Sequence, residues 1–231
     1  MKLTTFFASA LLFTISPGSA ATYLGNGNSG FGGVISSLDI TDDGTNVTFV
    51  LNRGLGGLND AFVIYIDSVA GGQNNTSQFT DSADPLRQAI SGYNGTTRTT
   101  VNLTSGFGVD RALALDQGFA GLWTTVDNGS HSFVATANGS PGGTTQATYA
   151  MTVSLANLGL NPGDSFDFVG TYLNPGAPFR SDEGIGDGLP TGNPGTSDVT
   201  FTGARTYTTI PEPASAALGL LGSLLLLRRR K

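Results

Sequence analysis

Alternation of apolar and polar positions with a period of two is the main signal along the middle of this 231-residue chain. Residues 146–155 (QATYAMTVSL) put Ala147, Tyr149, Met151, Val153 and Leu155 on one side, with Thr148, Thr152 and Ser154 on the other. Successive strand side chains point to opposite faces, so this is a strand with one face in a core and one in water. Residues 165–173 (SFDFVGTYL) repeat the rule with Phe166, Phe168 and Tyr172. Residues 61–67 (AFVIYID) are apolar on both faces, which predicts a central strand. Residues 34–41, 46–52, 111–115, 119–125, 131–137 and 198–207 are further candidates, making about nine strands. Asp42-Asp43-Gly44 and Asn161-Pro162-Gly163-Asp164 carry the residues tight turns need, which favours an antiparallel sandwich over βαβ units. One short helix is predicted, with Asp84 as its cap, Pro85 in its first turn and Gly92 at its end. The predicted core is Phe62, Ile64, Ile66, Tyr149, Met151, Val153, Phe166 and Phe168.

Composition agrees with an all-β class. Charged residues are only 12% of the chain and glycine numbers 34, a balance poor for long helices, while 39% apolar content with 14 Phe can fill a core. No cysteine is present, which excludes disulfides and thiolate metal sites. Between the two ends, six arginines face sixteen carboxylates, a net charge of −10. That field repels phosphate backbones, so no nucleic-acid partner is expected.

The two ends differ from this body. Residues 1–20 read as a secretory signal peptide: Lys2, an apolar run over 6–15, then Pro17, Gly18, Ser19 and Ala20, with cleavage after Ala20 or Ala21. The β-sandwich is expected over residues 21–205 and a linker over 206–210. At the other end, residues 214–227 contain no charge. As a helix these 14 residues would rise about 21 Å, less than a hydrocarbon core of about 30 Å. Arg228, Arg229, Arg230 and Lys231 can snorkel to a headgroup layer and stop the chain there, so a short transmembrane helix is expected. Just before it, Pro211 and Pro213 hold the backbone extended around Glu212, which makes an accessible handle for a peptidase.

This order of triplet, apolar stretch and basic end resembles the PEP-CTERM sorting signal of Gram-negative bacteria, over residues 211–231. The resemblance implies export by signal peptidase, transient anchoring in the inner membrane, and processing by a membrane-embedded exosortase. It implies a destination at the cell surface or outside the cell, with exopolysaccharide and biofilm matrix as the setting. A second resemblance covers the body: FVIYIDSVAGG (62–72) and YAMTVSLANLGLNPGDSFDFVGTYLN (149–174) are similar to the core of DOMON-like and family 9 carbohydrate-binding β-sandwiches. Those folds often bind sugars, and some hold calcium.

The body offers little catalytic chemistry. His131 is the sole histidine, it follows a turn-like Asp127-Asn128-Gly129-Ser130, and no G-x-S-x-G elbow occurs, so it reads as a hairpin-edge residue. One imidazole without thiolates makes a poor zinc set. Glycoside hydrolysis needs only two carboxylates. Glu183, the body's one Glu, falls in RSDEGIGDGLPTGNPG (180–195), which reads as a long exposed loop. Calcium is the one cofactor considered, through Asp182, Glu183 and Asp187 or through Asp39, Asp42 and Asp43. For sugar stacking the nominal rings are Trp123, Tyr93 and Tyr172, with Trp123 assigned to the core. The expectation is a non-enzymatic structural, adhesive or exopolysaccharide-associated protein; the alternative is a carbohydrate-binding or glycoside-hydrolysing module using a carboxylate pair.

Overall fold

A computed structural model describes residues 20–211. Residues 1–19, Glu212, Pro213, the apolar stretch 214–227 and Arg228, Arg229, Arg230 and Lys231 lie outside the described residues. Among the described residues no helix is long and apolar enough to cross a membrane.

The described residues are all-β, with mainly antiparallel sheets. Its first part is β1 (Ala20–Leu24), β2 (Ile35–Asp42), β3 (Asn46–Arg53), β4 (Ala61–Asp67) and α1 (Pro85–Ser91), then β5 (Val101–Asn102), β6 (Arg111–Leu115), β7 (Ala120–Thr124) and β8 (Ser132–Asn138). There follow β9 (Thr148–Ser154), α2 (Leu155–Leu158), β10 (Ser165–Asn174), β11 (Phe179–Ile185), β12 (Val199–Thr200) and β13 (Arg205–Thr208). One sheet has the order β1-β2-β3-β9; the larger runs β11-β10-β4-β6-β7-β8, with β13 added on β10.

Between these sheets lies the main core. The alternation read from the sequence delivers it: Tyr149, Met151 and Val153 from β9 meet Phe62, Ile64, Ile66, Phe166 and Phe168 from the larger sheet, as expected. β4 lies between β10 and β6, and its other face also has a core. Ala61, Val63 and Tyr65 pack there with Trp123, Phe79 and Phe201 and with Leu86, Ala89 and Ile90 of α1. The doubly apolar pattern of this strand therefore reports cover on both faces.

Local chemistry sets the ends of the elements. The Asp84 carboxylate accepts from Arg87 N at 3.0 Å, Pro85 opens α1, and Gly92 closes it at φ 58°. Those are the groups a short helix needs to satisfy its terminal donors and carbonyls. At the β2–β3 turn the Asp43 carboxylate accepts from Asn46 N at 2.7 Å and Thr45 N at 2.9 Å, which holds its pKa below the usual carboxylate value.

Thirteen strands form among the described residues against about nine expected, with β1 and β5 unforeseen, and three further segments differ from expectation. Residues 198–207 form two short strands rather than one, and β12 pairs in parallel with β5. Residues 206–210, expected as a linker, belong to the fold: β13 pairs with β10, and Thr209 is buried. Residues 179–185 form β11, not an exposed loop, and the Asp182 and Glu183 carboxylates find backbone donors inside the protein.

Candidate functional site

β2 and β3 meet at the turn after Asp42, and this end of the sandwich is where the described chain both begins and ends. β1 starts there because Ala20 pairs with Thr41 and Ala21 with Ile40. The predicted signal-cleavage residues are thus the first residues of an edge strand. The far end of the chain is tied to the same turn. The buried Asp42 carboxylate accepts from Tyr207 Oη at 2.7 Å, from Ile210 N at 3.1 Å and from Gly44 N at 3.1 Å.

The 161–164 turn completes this clamp. Thr209 N donates to Asp164 O at 2.9 Å, Thr209 Oγ1 donates to the same carbonyl at 2.9 Å, and Gly163 N donates to Thr209 Oγ1 at 2.8 Å. Gly163 sits at φ 92°, and a Cβ there would lie 3.7 Å from Pro211 Cα, so Pro211 rests over this turn. Pro211 itself is exposed. Asp42 was considered from sequence as a calcium ligand; its carboxylate instead binds the departing chain. Nothing in the spacing of Asp42, Tyr207 and Ile210 announces a contact across 165 and 168 residues.

Two carboxylates face one another nearby. Asp67 and Asp167 are direct partners in the β4–β10 register, beside a cleft of about 300 Å³ lined by Ser68, Val69 and Ser165. Burial pushes Asp67 above the ordinary carboxylate pKa; Gly108 N, a donor at 2.8 Å, opposes this, and the charges of Asp110 and Asp167 reinforce it. Asp167 accepts from Thr206 Oγ1. Asp110 serves the backbone, accepting from Ser68 N at 2.7 Å and Val69 N at 3.0 Å, with Arg111 at 3.5 Å.

His131 stands at the end of the β7–β8 hairpin connection, as expected, but its side chain is buried, between Phe79 and α1. Ser91, His131 and Asp81 come together there, but in an order that cannot activate a hydroxyl. Val126 N donates to Nδ1 at 3.1 Å, so Nδ1 carries the lone pair and Nε2 the proton, which goes to Ser91 Oγ at 3.0 Å. A general base needs its lone pair towards the serine. Asp81 accepts from the backbone N of His131 at 2.7 Å, not from the ring. Burial lowers the His131 pKa to about 4, with Asp81 opposing and Arg87 reinforcing the fall.

The acids of 180–195 also differ from expectation. Glu183 is fully buried in β11, and its carboxylate receives four backbone donors from the loop entering β2: Phe31 N at 2.8 Å and Gly33 N at 3.0 Å on one oxygen, Val34 N and Ile35 N on the other. Asp182 accepts from Gly30 N at 2.9 Å and Gly192 N at 2.8 Å. Asp187 pairs with Arg205 at 2.7 Å, which lowers its pKa. The oxygens proposed for calcium are thus bonded to the protein, and among the described residues no group of three or more His, Asp or Glu is arranged for a metal.

Arg180 is fully buried as well. Its Nη1 donates to Thr171 Oγ1, whereas Nε and Nη2 have no hydrogen-bond partner among the described residues, and burial lowers its pKa against the pull of Tyr65 and Asp198. Of the nominal stacking rings, Trp123 and Tyr172 are buried, Trp123 as assigned, and Tyr93 is covered by the Arg98 guanidinium at 4.5 Å. No protein-family model matches the chain, and no curated protein matches it by sequence.

Proposed function

We propose that this chain is an exported protein whose β-sandwich is displayed at the cell surface or in the extracellular matrix, after an exosortase-type enzyme processes its C-terminal tail. Its role there is structural, adhesive or exopolysaccharide-associated rather than catalytic. One observation carries the reading: residues 20 and 211 leave the sandwich at the same end, beside Thr41 and Asp42. A body tethered through either terminus would then present its opposite end to the surroundings. That opposite end carries exposed apolar tips, Leu24, Leu55 and Phe179, the side chains a contact surface uses.

In the producing cell, the full chain is expected to reach the surface or medium shortened at both ends. A variant lacking Arg228 to Lys231 is expected to stay cell-bound at a higher mass. Intact protein in the cytosol with both ends uncut would overturn the proposal. A second reading, a glycan-cleaving site, is favoured only by Asp67 and Asp167 facing one another beside their cleft.

A further inference from the structure

We infer that Asn128 is a modification site: its side-chain amide is lost to attack by the Gly129 backbone nitrogen, giving aspartate and isoaspartate, and the fold confines this reaction to that pair. Asn-Gly occurs at residues 26–27, 94–95, 128–129 and 138–139. Glycine has no Cβ to hinder its own nitrogen, so in an unfolded chain each pair is open to the same chemistry. The glycine nitrogen gives its proton to solvent and bonds to the asparagine Cγ, the Cγ–Nδ2 bond breaks, and ammonia leaves a cyclic imide. Water then opens either imide C–N bond. The balance is an amide and a water converted to a carboxylic acid and ammonia.

For that attack the carboxamide must swing towards the following peptide. Three of the pairs are held against it at both ends of the group. Asn26 Oδ1 accepts from Asn28 N at 3.2 Å while its Nδ2 donates to Asp182 O at 2.7 Å. Asn94 Oδ1 accepts from Thr96 N at 3.1 Å and Thr97 N at 2.8 Å, and its Nδ2 donates to Gly176 O at 2.7 Å. Asn138 Oδ1 accepts from Ser140 N at 2.9 Å, and its Nδ2 donates to Ala150 O at 2.8 Å. In each case the oxygen closes a local turn while the nitrogen is fastened to a segment further along the chain.

Asn128 has neither tie. It is exposed in the middle of the β7–β8 connection, and among the described residues its side chain makes no hydrogen bond. Its φ of 51° is in the left-handed region, so the peptide after it must turn before the attack. That peptide is free to turn, because neither Asn128 O nor Gly129 N has a backbone partner among the described residues. The loop around it is fixed: Asn128 N donates to Gln78 O at 2.7 Å, Val126 N to His131 Nδ1 at 3.1 Å and His131 N to Asp81 at 2.7 Å. The reaction therefore runs in the folded protein and adds a carboxylate next to Asp127. It is independent of the export reading.

Protein purified from the producing cell is held in mildly alkaline buffer, folded and in parallel in concentrated urea, and the four pairs are followed by peptide mass mapping. In the folded protein Asn128 should react at least about tenfold faster than Asn26, Asn94 or Asn138, a factor equivalent to about 1.4 kcal/mol and within what two side-chain hydrogen bonds supply. In urea the four rates should converge. An equal rate at any other pair in the folded protein would overturn the assignment. So would a lead for Asn128 that persists undiminished in urea, since sequence and not the fold would then select it.

Gly129→Ala tests the nucleophile. The added methyl meets Val126 Cγ1 at 3.3 Å, a side-chain contact that can give, so the variant should keep the wild-type urea midpoint. Loss of the Asn128 amide should fall at least about tenfold, because the new Cβ crowds the attacking nitrogen. An unchanged rate in the folded variant would sink the mechanism. Should the variant unfold, the comparison of folded and urea-held wild type decides alone.

Discussion

Replacing Glu183 with glutamine is the sharpest test of how β11 is held. In the native protein four backbone N–H groups converge on the carboxylate, two on each oxygen, and the side chain is wholly buried. Glutamine has nearly the same shape, but whichever way its amide turns, the NH2 group faces two donors. Each lost bond to a charged group is worth about 1.5–3 kcal/mol, so two amount to roughly 3–6 kcal/mol. That is a large part of the 5–15 kcal/mol that holds a typical domain together. For a domain of this size it corresponds to a fall in Tm of about 6–24 °C. The assay is urea denaturation of wild type and Glu183→Gln, each with added calcium and with a chelator. We expect the loss in both conditions. A change below about 1 kcal/mol, or wild-type stability that falls to the variant's level when chelator is added, would refute the reasoning. The latter result would mean that a cation, not the 31–35 backbone, neutralises this carboxylate.

Two further predictions concern pH. The His131 pKa is lowered from 6.5 to about 4 in the folded protein, so between those values the unfolded chain binds a proton that the folded one does not. Stability should therefore fall as pH drops below about 6.5 and level off near 4, by up to about 3 kcal/mol, and His131→Gln should remove that part of the slope. Parallel slopes for the two proteins in denaturant titrations would count against a buried neutral ring. For Asp67 the folded pKa is raised above its ordinary 3.8, so wild type loses stability as pH rises through that range. Asp67→Asn should be more stable at pH 7, by a few tenths of a kcal/mol to about 1 after solvent screening, with the difference gone at low pH. Neither protein should release reducing sugar from the producing cell's polysaccharide; release by wild type that Asp67→Asn abolishes would favour the glycan-cleaving reading.

Period-two alternation is a one-dimensional consequence of strand geometry, so β9 and β10 could be read from the sequence, as could β4 from its doubly apolar run, with the core between the sheets. The α1 caps were legible for the same reason, because Asp84, Pro85 and Gly92 act within a single turn of backbone. The sequence also determines the two unlike ends, since charge order and apolar length are properties of the chain itself. Only tertiary structure decided which polar groups are inside. Glu183, Arg180 and His131 look solvated in sequence, because burial of a polar side chain depends on partners 40 to 152 residues away or on an uncompensated site. The same holds for the Asp42 clamp. Its donors arrive from the opposite end of the chain, where no local pattern of residues could record that the two ends would leave the fold together.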